Sequence, residues 1–392
     1  MSLYAKFQKS PFVFTGNPII LNSLGPQTDM LKGGKFTVAY QRDPIYEGRF
    51  CAPLNLDISE IASAATRYLA EPKGDGRNAV ELIERIELGD GGVARRISVT
   101  VDYDGQYVEN YEMIGIPGGI PRQQFLTYAS AFTDVFESRF CGPGCNFFFT
   151  SRTHEWRIEM KETEIYPLYF IATGQNYRFR IPTGESIDFD LEYAFYCLDP
   201  AALRKAFMDR YGILPSVFDV ETEDGGYCCQ IVITHCDPAK ERYRLKFRNS
   251  LGVFEIMEIR GKLTESRDFP GSEEQSYKRF DMETRRYSNL RERLESNRIL
   301  EITTPVPMSH RIMLADMLSS DEIFLLDAYK TPVRVNVSSE NLTLPKRREE
   351  PDTVTLRMEM TAPDHFVGEE ISGTDDGRKP RIHSDEFTKE FN

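Results

Sequence analysis

Apolar and polar residues alternate over much of the chain, and a period of two marks a strand with one buried face. Ile97, Val99, Val101 and Tyr103 share one face of such a run, with Ser98, Thr100 and Asp102 on the other. Asp104-Gly105 follows and Tyr107 restarts the pattern. An Asp-Gly pair between alternating runs predicts a hairpin, because both turn residues must take positive φ. Tyr243, Leu245 and Phe247 alternate up to Asn249-Ser250-Leu251-Gly252, after which Phe254 and Ile256 resume, predicting a second hairpin with a longer loop. Val333, Val335 and Val337 form a third stretch, and Val354, Leu356, Met358 and Met360 a fourth.

Helical patterns are short. Asp199 precedes Pro200, an Ala- and Leu-rich interior runs to Tyr211, and Gly212 follows. This order supplies an N-cap, a proline at the first helical position and a C-terminal stop. Weaker helical stripes fall at 57–69 and 309–318, with 123–139 readable as helix or strand. The expected fold class is therefore mainly β: a multidomain chain of antiparallel β-sandwiches with a few short connecting helices.

Breaks in composition divide the chain. The run Cys141-Gly142-Pro143-Gly144-Cys145 interrupts any regular element, and 268–275 has the Pro, Gly and acidic content of a linker. The expected domains are residues 1–160, 161–268 (with the helix near 200–211) and 276–362, followed by an acidic flexible tail, 363–392. The tail is poor in apolar residues and cannot offset the entropy of ordering.

Asp and Glu number 61 against 48 Lys and Arg, giving a net charge of -13 over 392 residues. Nucleic acid is disfavoured as a partner, because affinity for it comes from basic side chains that displace phosphate counterions. No apolar run reaches the ~20 residues of a membrane-spanning helix. Residues 1–16 carry Lys6, Lys9 and Pro11 and lack the apolar stretch of a signal peptide. The expectation is a soluble chain without membrane insertion. Seven scattered cysteines (Cys51, Cys141, Cys145, Cys197, Cys228, Cys229 and Cys236) fit a reducing compartment better than a disulfide framework.

Candidate chemistry is sparse. Cys141 and Cys145, followed by His154, have the residue types of a zinc knuckle, but a second knuckle is missing. Cys228, Cys229, His235 and Cys236 cluster further on, yet adjacent strand residues point to opposite faces, so neither a shared metal nor a Cys–His dyad is expected there. Whether Cys141 and Cys145 bind metal stays open. His310, His365 and His383 sit in no nucleophile motif, and Gly89-Asp90-Gly91-Gly92 reads as a turn rather than a phosphate loop. Asp188, Asp190 and Glu192 share one strand face, and a solvated face is preferred there over a glycosidase pair or calcium ligands. The basic runs from Arg285-Arg286 to Arg293 and Lys346-Arg347-Arg348 read as solvated faces or subunit contacts. No catalytic, cofactor-binding or metal residue is assigned, and no enzyme activity or cofactor is expected.

Several segments carry a resemblance taken together: Asn17-Pro18-Ile19-Ile20, Tyr46-Glu47-Gly48-Arg49-Phe50, Asn55-Leu56-Asp57-Ile58-Ser59, Phe149-Thr150-Ser151-Arg152-Thr153, Tyr166-Pro167-Leu168-Tyr169-Phe170 and the block from Phe247 to Glu255. In these, over residues 10 to 360, the chain resembles uncharacterised β-rich proteins encoded in phage and prophage structural regions of Bacteroides-type bacteria, which are tail or baseplate components. The resemblance implies a virion protein made in the host cytoplasm. It would be a non-enzymatic part of a tail, baseplate or neck, assembling with copies of itself and with other virion proteins in a ring or fibre. The alternative is a carbohydrate- or cell-surface-binding sandwich, with Tyr227, Tyr243 and Tyr277 available to stack on a glycan.

Overall fold

The alternating segments form strands. The computed structural model describes residues 11–23, 33–40, 42–51, 54–66, 82–86, 94–105, 108–130, 135–140, 147–154, 156–236, 241–269, 276–291, 296–307, 310–329, 331–339 and 352–361. The chain begins with β1 (Phe12–Phe14), β2 (Ile20–Ser23), β3 (Gly33–Tyr40), β4 (Asp43–Cys51), β5 (Leu54–Asp57), α1 (Ser59–Thr66), β6 (Ile83–Arg85), β7 (Arg95–Asp102) and β8 (Val108–Ile116). Next come α2 (Arg122–Ser130), α3 (Val135–Arg139), β9 (Thr153–His154), β10 (Arg157–Lys161), a 3-10 turn at Glu162–Glu164, β11 (Leu168–Arg180), β12 (Ser186–Leu198), α4 (Pro200–Tyr211), β13 (Val217–Thr222) and β14 (Tyr227–Thr234). The remainder is β15 (Arg242–Arg248), β16 (Phe254–Arg260), β17 (Thr264–Asp268), β18 (Ser276–Asp281), β19 (Arg286–Arg291), β20 (Asn297–Val306), α5 (Arg311–Leu318), β21 (Ile323–Leu326), β22 (Val333–Ser339) and β23 (Asp352–Met360). The protein is mainly β, with short helices between strands.

Two compact units emerge. The first comprises the described residues of Met1–Pro238, Phe247–Met257 and Pro307–Ser320; the second, those of Ala239–Lys246, Glu258–Val306 and Asp321–Asn392. These differ from the expected divisions. The boundary at 160/161 meets β10, which pairs in parallel with β14, while β6 pairs with β12, so residues on both sides of 160 share one sheet. Such long-range pairings leave no mark on local composition. Residues 311–318, expected in a C-terminal domain, belong to the first unit. The proposed tail, 363–392, lies outside the described residues.

In the first unit, one sheet has the order β1-β8-β7-β3-β4, with β1 and β8 parallel. The predicted hairpin joins β7 to β8, and Asp104 and Gly105 take φ of 51° and 75°. The Ile97, Val99, Val101 and Tyr103 face is fully buried against Leu21 of β2, Leu54 of β5 and Ala62 of α1, with Ile19 and Ile58 from the residues that flank them. Phe12, Phe14 and Ile116 join Phe136, Phe140, Phe149, Tyr169, Ile171 and Phe195 in an aromatic core. There Phe14 and Phe136 lie 4.6 Å apart, and Phe140 stacks on Phe149 at 4.6 Å. Pairs at these separations contribute about 1 kcal/mol each beyond area burial.

The second sheet of this unit has the order β6-β12-β11-β13-β14-β10-β9. Along β11 the residues reaching its main core change from even (Leu168, Phe170, Ala172) to odd (Tyr177, Phe179), and Gly174, at φ 75°, sits at the change. The paired strand switches with it, from Tyr196 and Leu198 to Ile187 and Leu191, so one core continues along two strands of 13 residues. Leu203 and Phe207 of α4 pack into this core. The helix starts and stops as its sequence predicts. Asp199 accepts the Ala201 amide at 2.9 Å, and Gly212, at φ 70°, donates to the Met208 carbonyl at 2.9 Å.

The second unit is built on a sheet of order β16-β15-β21-β22-β23-β20-β17, with the ends of β15 and β16 continuing into the first unit. Val354, Leu356 and Met358 of β23 and Leu300, Ile302 and Val306 of β20 bury alternate positions, as the patterning predicts. The hairpin β18–β19 forms a two-stranded sheet of its own.

Candidate functional site

Two of the segments singled out in the sequence, Phe149–Thr153 and Phe247–Glu255, are brought together in the first unit. The turn between β15 and β16 is organised by Asn249, whose Oδ1 accepts the amides of Leu251 and Val253, both at 3.1 Å. Its Nδ2 donates to the Phe149 carbonyl at 3.2 Å. Gly252 is held at φ 88° and closes the turn by donating to the Asn249 carbonyl at 2.9 Å. A Cβ on Gly252 would stand 1.2 Å from the Pro117 carbonyl oxygen, and one on Gly118 would stand 2.5 Å from the Leu251 carbonyl carbon. Backbone meets backbone at this contact, with the Gly119 amide donating to the Ser250 carbonyl at 2.7 Å.

Charged groups complete the junction. Glu255, buried at the start of β16, accepts hydrogen bonds from the Thr150 hydroxyl, from the Ser151 amide at 3.2 Å and from the Ser151 hydroxyl at 2.5 Å. Asp316 of α5 accepts the Ser250 amide with both oxygens, at 3.0 and 3.1 Å. The Ser151 hydroxyl is also within hydrogen-bonding reach of Asp316, so it lies between two carboxylates. Burial, with the Glu255 charge adding to it, pushes the Asp316 carboxyl up to about 6, while the bonds from Ser250 and Ser151 oppose the rise. Arg152 is sunk beside them. Its guanidinium donates to Glu164 at 3.0 Å, to the Glu159 carbonyl at 3.2 Å and to the Ile256 carbonyl. The Arg152 and Glu164 side chains are 3% and 0% exposed.

This arrangement fastens chain segments. Each polar group at the junction is engaged by another part of the same unit. Among the described residues no hydrogen bond joins the Ser151 hydroxyl to a histidine: buried His310 has Glu164, Arg152, Lys161 and Glu159 as its electrostatic neighbours, and burial lowers its pKa.

The other candidates are dispersed. Asp188 pairs with Arg178 at 2.9 Å and Glu192 with Arg85 at 3.0 Å, both exposed, while Asp190 lies across from Asn176. A shallow cleft of about 250 Å³ opens there, lined by Asn176, Tyr177, Arg178, Asp188, Asp190 and Glu223. Cys228 and Cys229 correct the expectation from strand alternation. A register shift between Val220/Glu221 and β14 breaks the alternation, and both thiols enter the same core. Burial pushes the Cys229 thiol well up, and that of Cys197 up to about 12.

His235 is exposed and meets Glu162 at 2.9 Å, while the Cys236 thiol lies 3.3 Å from the Thr163 hydroxyl. Tyr227 is exposed on β14 of the first unit and Tyr243 is half-buried on β15 of the second. Among the described residues no group of three or more His, Cys, Asp or Glu is placed to hold a metal ion, and no helix is long and apolar enough to cross a membrane. Cys141, Cys145, residues 89–92, Lys346-Arg347-Arg348, His365, His383 and the side chains of His154 and Tyr277 lie outside the described residues.

No family model matches the chain, and no curated protein matches it in sequence. Among solved structures it is similar to a Ca2+-stabilized adhesin with which an Antarctic bacterium binds ice, at 9% identity and a TM-score of 0.17, over 76% of this chain and 68% of that one. It is also similar to extracellular domains 3–5 of Drosophila OTK, at 10% identity and a TM-score of 0.17, over 74% of this chain and 89% of that one.

Proposed function

We propose that the protein is a non-enzymatic structural component of a phage tail, baseplate or neck, made in the host cytoplasm and built into an oligomeric ring or fibre. One observation carries the reading. The segments through which the chain resembles virion proteins spend their polar groups on one another, Ser151 on Glu255 and Asn249 on Phe149, in a buried fastening. A scaffold needs shape and rigidity, and fully engaged buried networks supply them. Mass spectrometry of purified particles tests the proposal. Finding the protein at a fixed copy number per particle supports it, and its absence from intact particles refutes it.

A second reading, binding of a carbohydrate or cell surface, draws on Trp156 and Tyr227, each 42% exposed and carried by the same sheet region. Aromatic faces of this kind stack on sugars. A glycan array that yields no ligand removes it.

A further inference from the structure

The hairpin β18–β19 concentrates a charge opposite to that of the rest of the protein. Lys278, Arg279, Arg285, Arg286 and Arg291 face only Asp281 and Glu283 in residues 276–291, so this segment is +3 in a chain of -13 and the remaining residues carry -16. Its turn is shaped by Asp281, which accepts the Glu283 amide at 2.9 Å and the Thr284 amide at 3.4 Å, and Arg285 closes it at φ 52°. Phe280 and Tyr287 pair across the strands with ring centroids 5.0 Å apart. These rings are displayed rather than buried: Phe280 is 43% exposed, Tyr287 73% and Met282 80%.

A two-stranded hairpin is marginal by itself in water, and an apolar tip gains stability by packing on something. Arginine and tyrosine around an apolar centre also have the composition of an interface hot spot. We propose that this hairpin is the docking element for a second copy of the chain, its net positive charge seated on that copy's acidic surface. Charge complementarity selects this occupant, since attraction between opposite potentials both steers and orients docking. The inference rests on the oligomeric part of the function proposed above.

The charges also set which surfaces meet. Two hairpins brought face to face would repel, so the contact joins the hairpin of one copy to the acidic surface of the other. Made in one direction such a contact builds a ring or fibre, and made reciprocally it closes a dimer.

Sedimentation velocity on the full chain, over a range of concentration at low and high salt, tests this against Arg279→Glu/Arg285→Glu/Arg286→Glu. The expected result is concentration-dependent assembly of the native chain that weakens with salt and is at least ~10-fold weaker in the variant. Carbodiimide coupling of a mixture of isotope-labelled and unlabelled chains provides the second measurement, and a link from Lys278 of one copy to a carboxylate of another supports the contact. A native chain that stays monomeric overturns both this inference and the oligomeric reading. A variant that assembles as tightly as the native chain overturns the hairpin contact alone. Flotation on vesicles of phosphatidylcholine with phosphatidylglycerol adds a third arm: hairpin-dependent binding to these vesicles, with assembly unchanged, assigns the tip to anionic lipid instead and overturns the proposal.

Discussion

Asp316 holds the backbone amide of Ser250 with both carboxylate oxygens, at 3.0 and 3.1 Å, across 66 residues of sequence. The Asp316 carboxyl is raised from 3.8 to about 6 by burial, so the folded state binds this proton more tightly than the unfolded state does. The contribution is therefore fully present below pH ~4 and is lost as pH rises through 6. A shift of about two units corresponds to about 3 kcal/mol. Asp316→Asn removes the titration. Denaturant midpoints measured at pH 4.5 and 7.5 should show the variant gaining on the native protein by about 2 kcal/mol at the higher pH, the rest of the effect falling below pH 4.5. An equal difference at both values would refute the assignment.

Gly252 and Gly212 both occupy the left-handed region, at φ 88° and 70°, but their surroundings differ. Gly252→Ala drives a methyl into the Pro117 carbonyl, whereas Gly212→Ala meets nothing within 4 Å. The second substitution should cost about 1 kcal/mol of backbone strain. The first should cost more than ~4 kcal/mol, in the range reserved for severe overpacking. Chemical denaturation of the pair separates the two effects, and comparable losses would show that the two loops can part.

Arg152→Leu leaves the Glu164 carboxylate buried without its guanidinium, while the Ile256 and Glu159 carbonyls lose a donor. Breaking a buried pair on one side costs about 3–5 kcal/mol. Arg152→Leu/Glu164→Leu should recover part of that loss, because no isolated charge remains. A double variant less stable than the sum of the two singles would contradict this account.

Thiol reactivity follows burial. Alkylation proceeds through the thiolate, and at pH 8 a thiol with a pKa of about 12 is ionised in roughly one molecule in ten thousand. Cys51 is exposed, whereas Cys197, Cys228 and Cys229 are buried. Iodoacetamide labelling of the native protein, read by peptide mapping, should modify Cys51 first and reach the other three only after denaturation. Early modification of Cys229 would indicate that the β14 core opens.

What could be read from the chain depended on the distance over which each feature is determined. The helix Pro200–Tyr211 was legible because cap, proline and stop are all local. So was the β7–β8 hairpin, where Asp104 and Gly105 carry the turn. The parallel pairing of β10 with β14 was not, since it joins residues about 70 positions apart. The placement of Cys228 and Cys229 in one core was missed because a register shift does not show in an alternating pattern. At the junction, Thr150, Ser151, Arg152, Asn249, Ser250 and Glu255 stood in the segments singled out in the sequence, but Glu164 and Asp316 did not, and the pairing of Arg152 with Glu164 and of Ser250 with Asp316 could be matched only in three dimensions. One signal for Asp316 was present: it is an acid set among Met313, Leu314 and Met317, the buried stripe of α5.

The first unit is completed by two segments, Phe247–Met257 and Pro307–Ser320, that follow part of the second unit in the chain. On the ribosome, the partners of Ser151 and Ser250 thus arrive late: Glu255 is made about 100 residues after Ser151, and Asp316 later still. The first unit therefore cannot close until more than 300 residues have emerged. Fragments ending near 238 or 268 would expose an unfinished core to aggregation and chaperone capture, and a productive truncation would have to extend past Ser320.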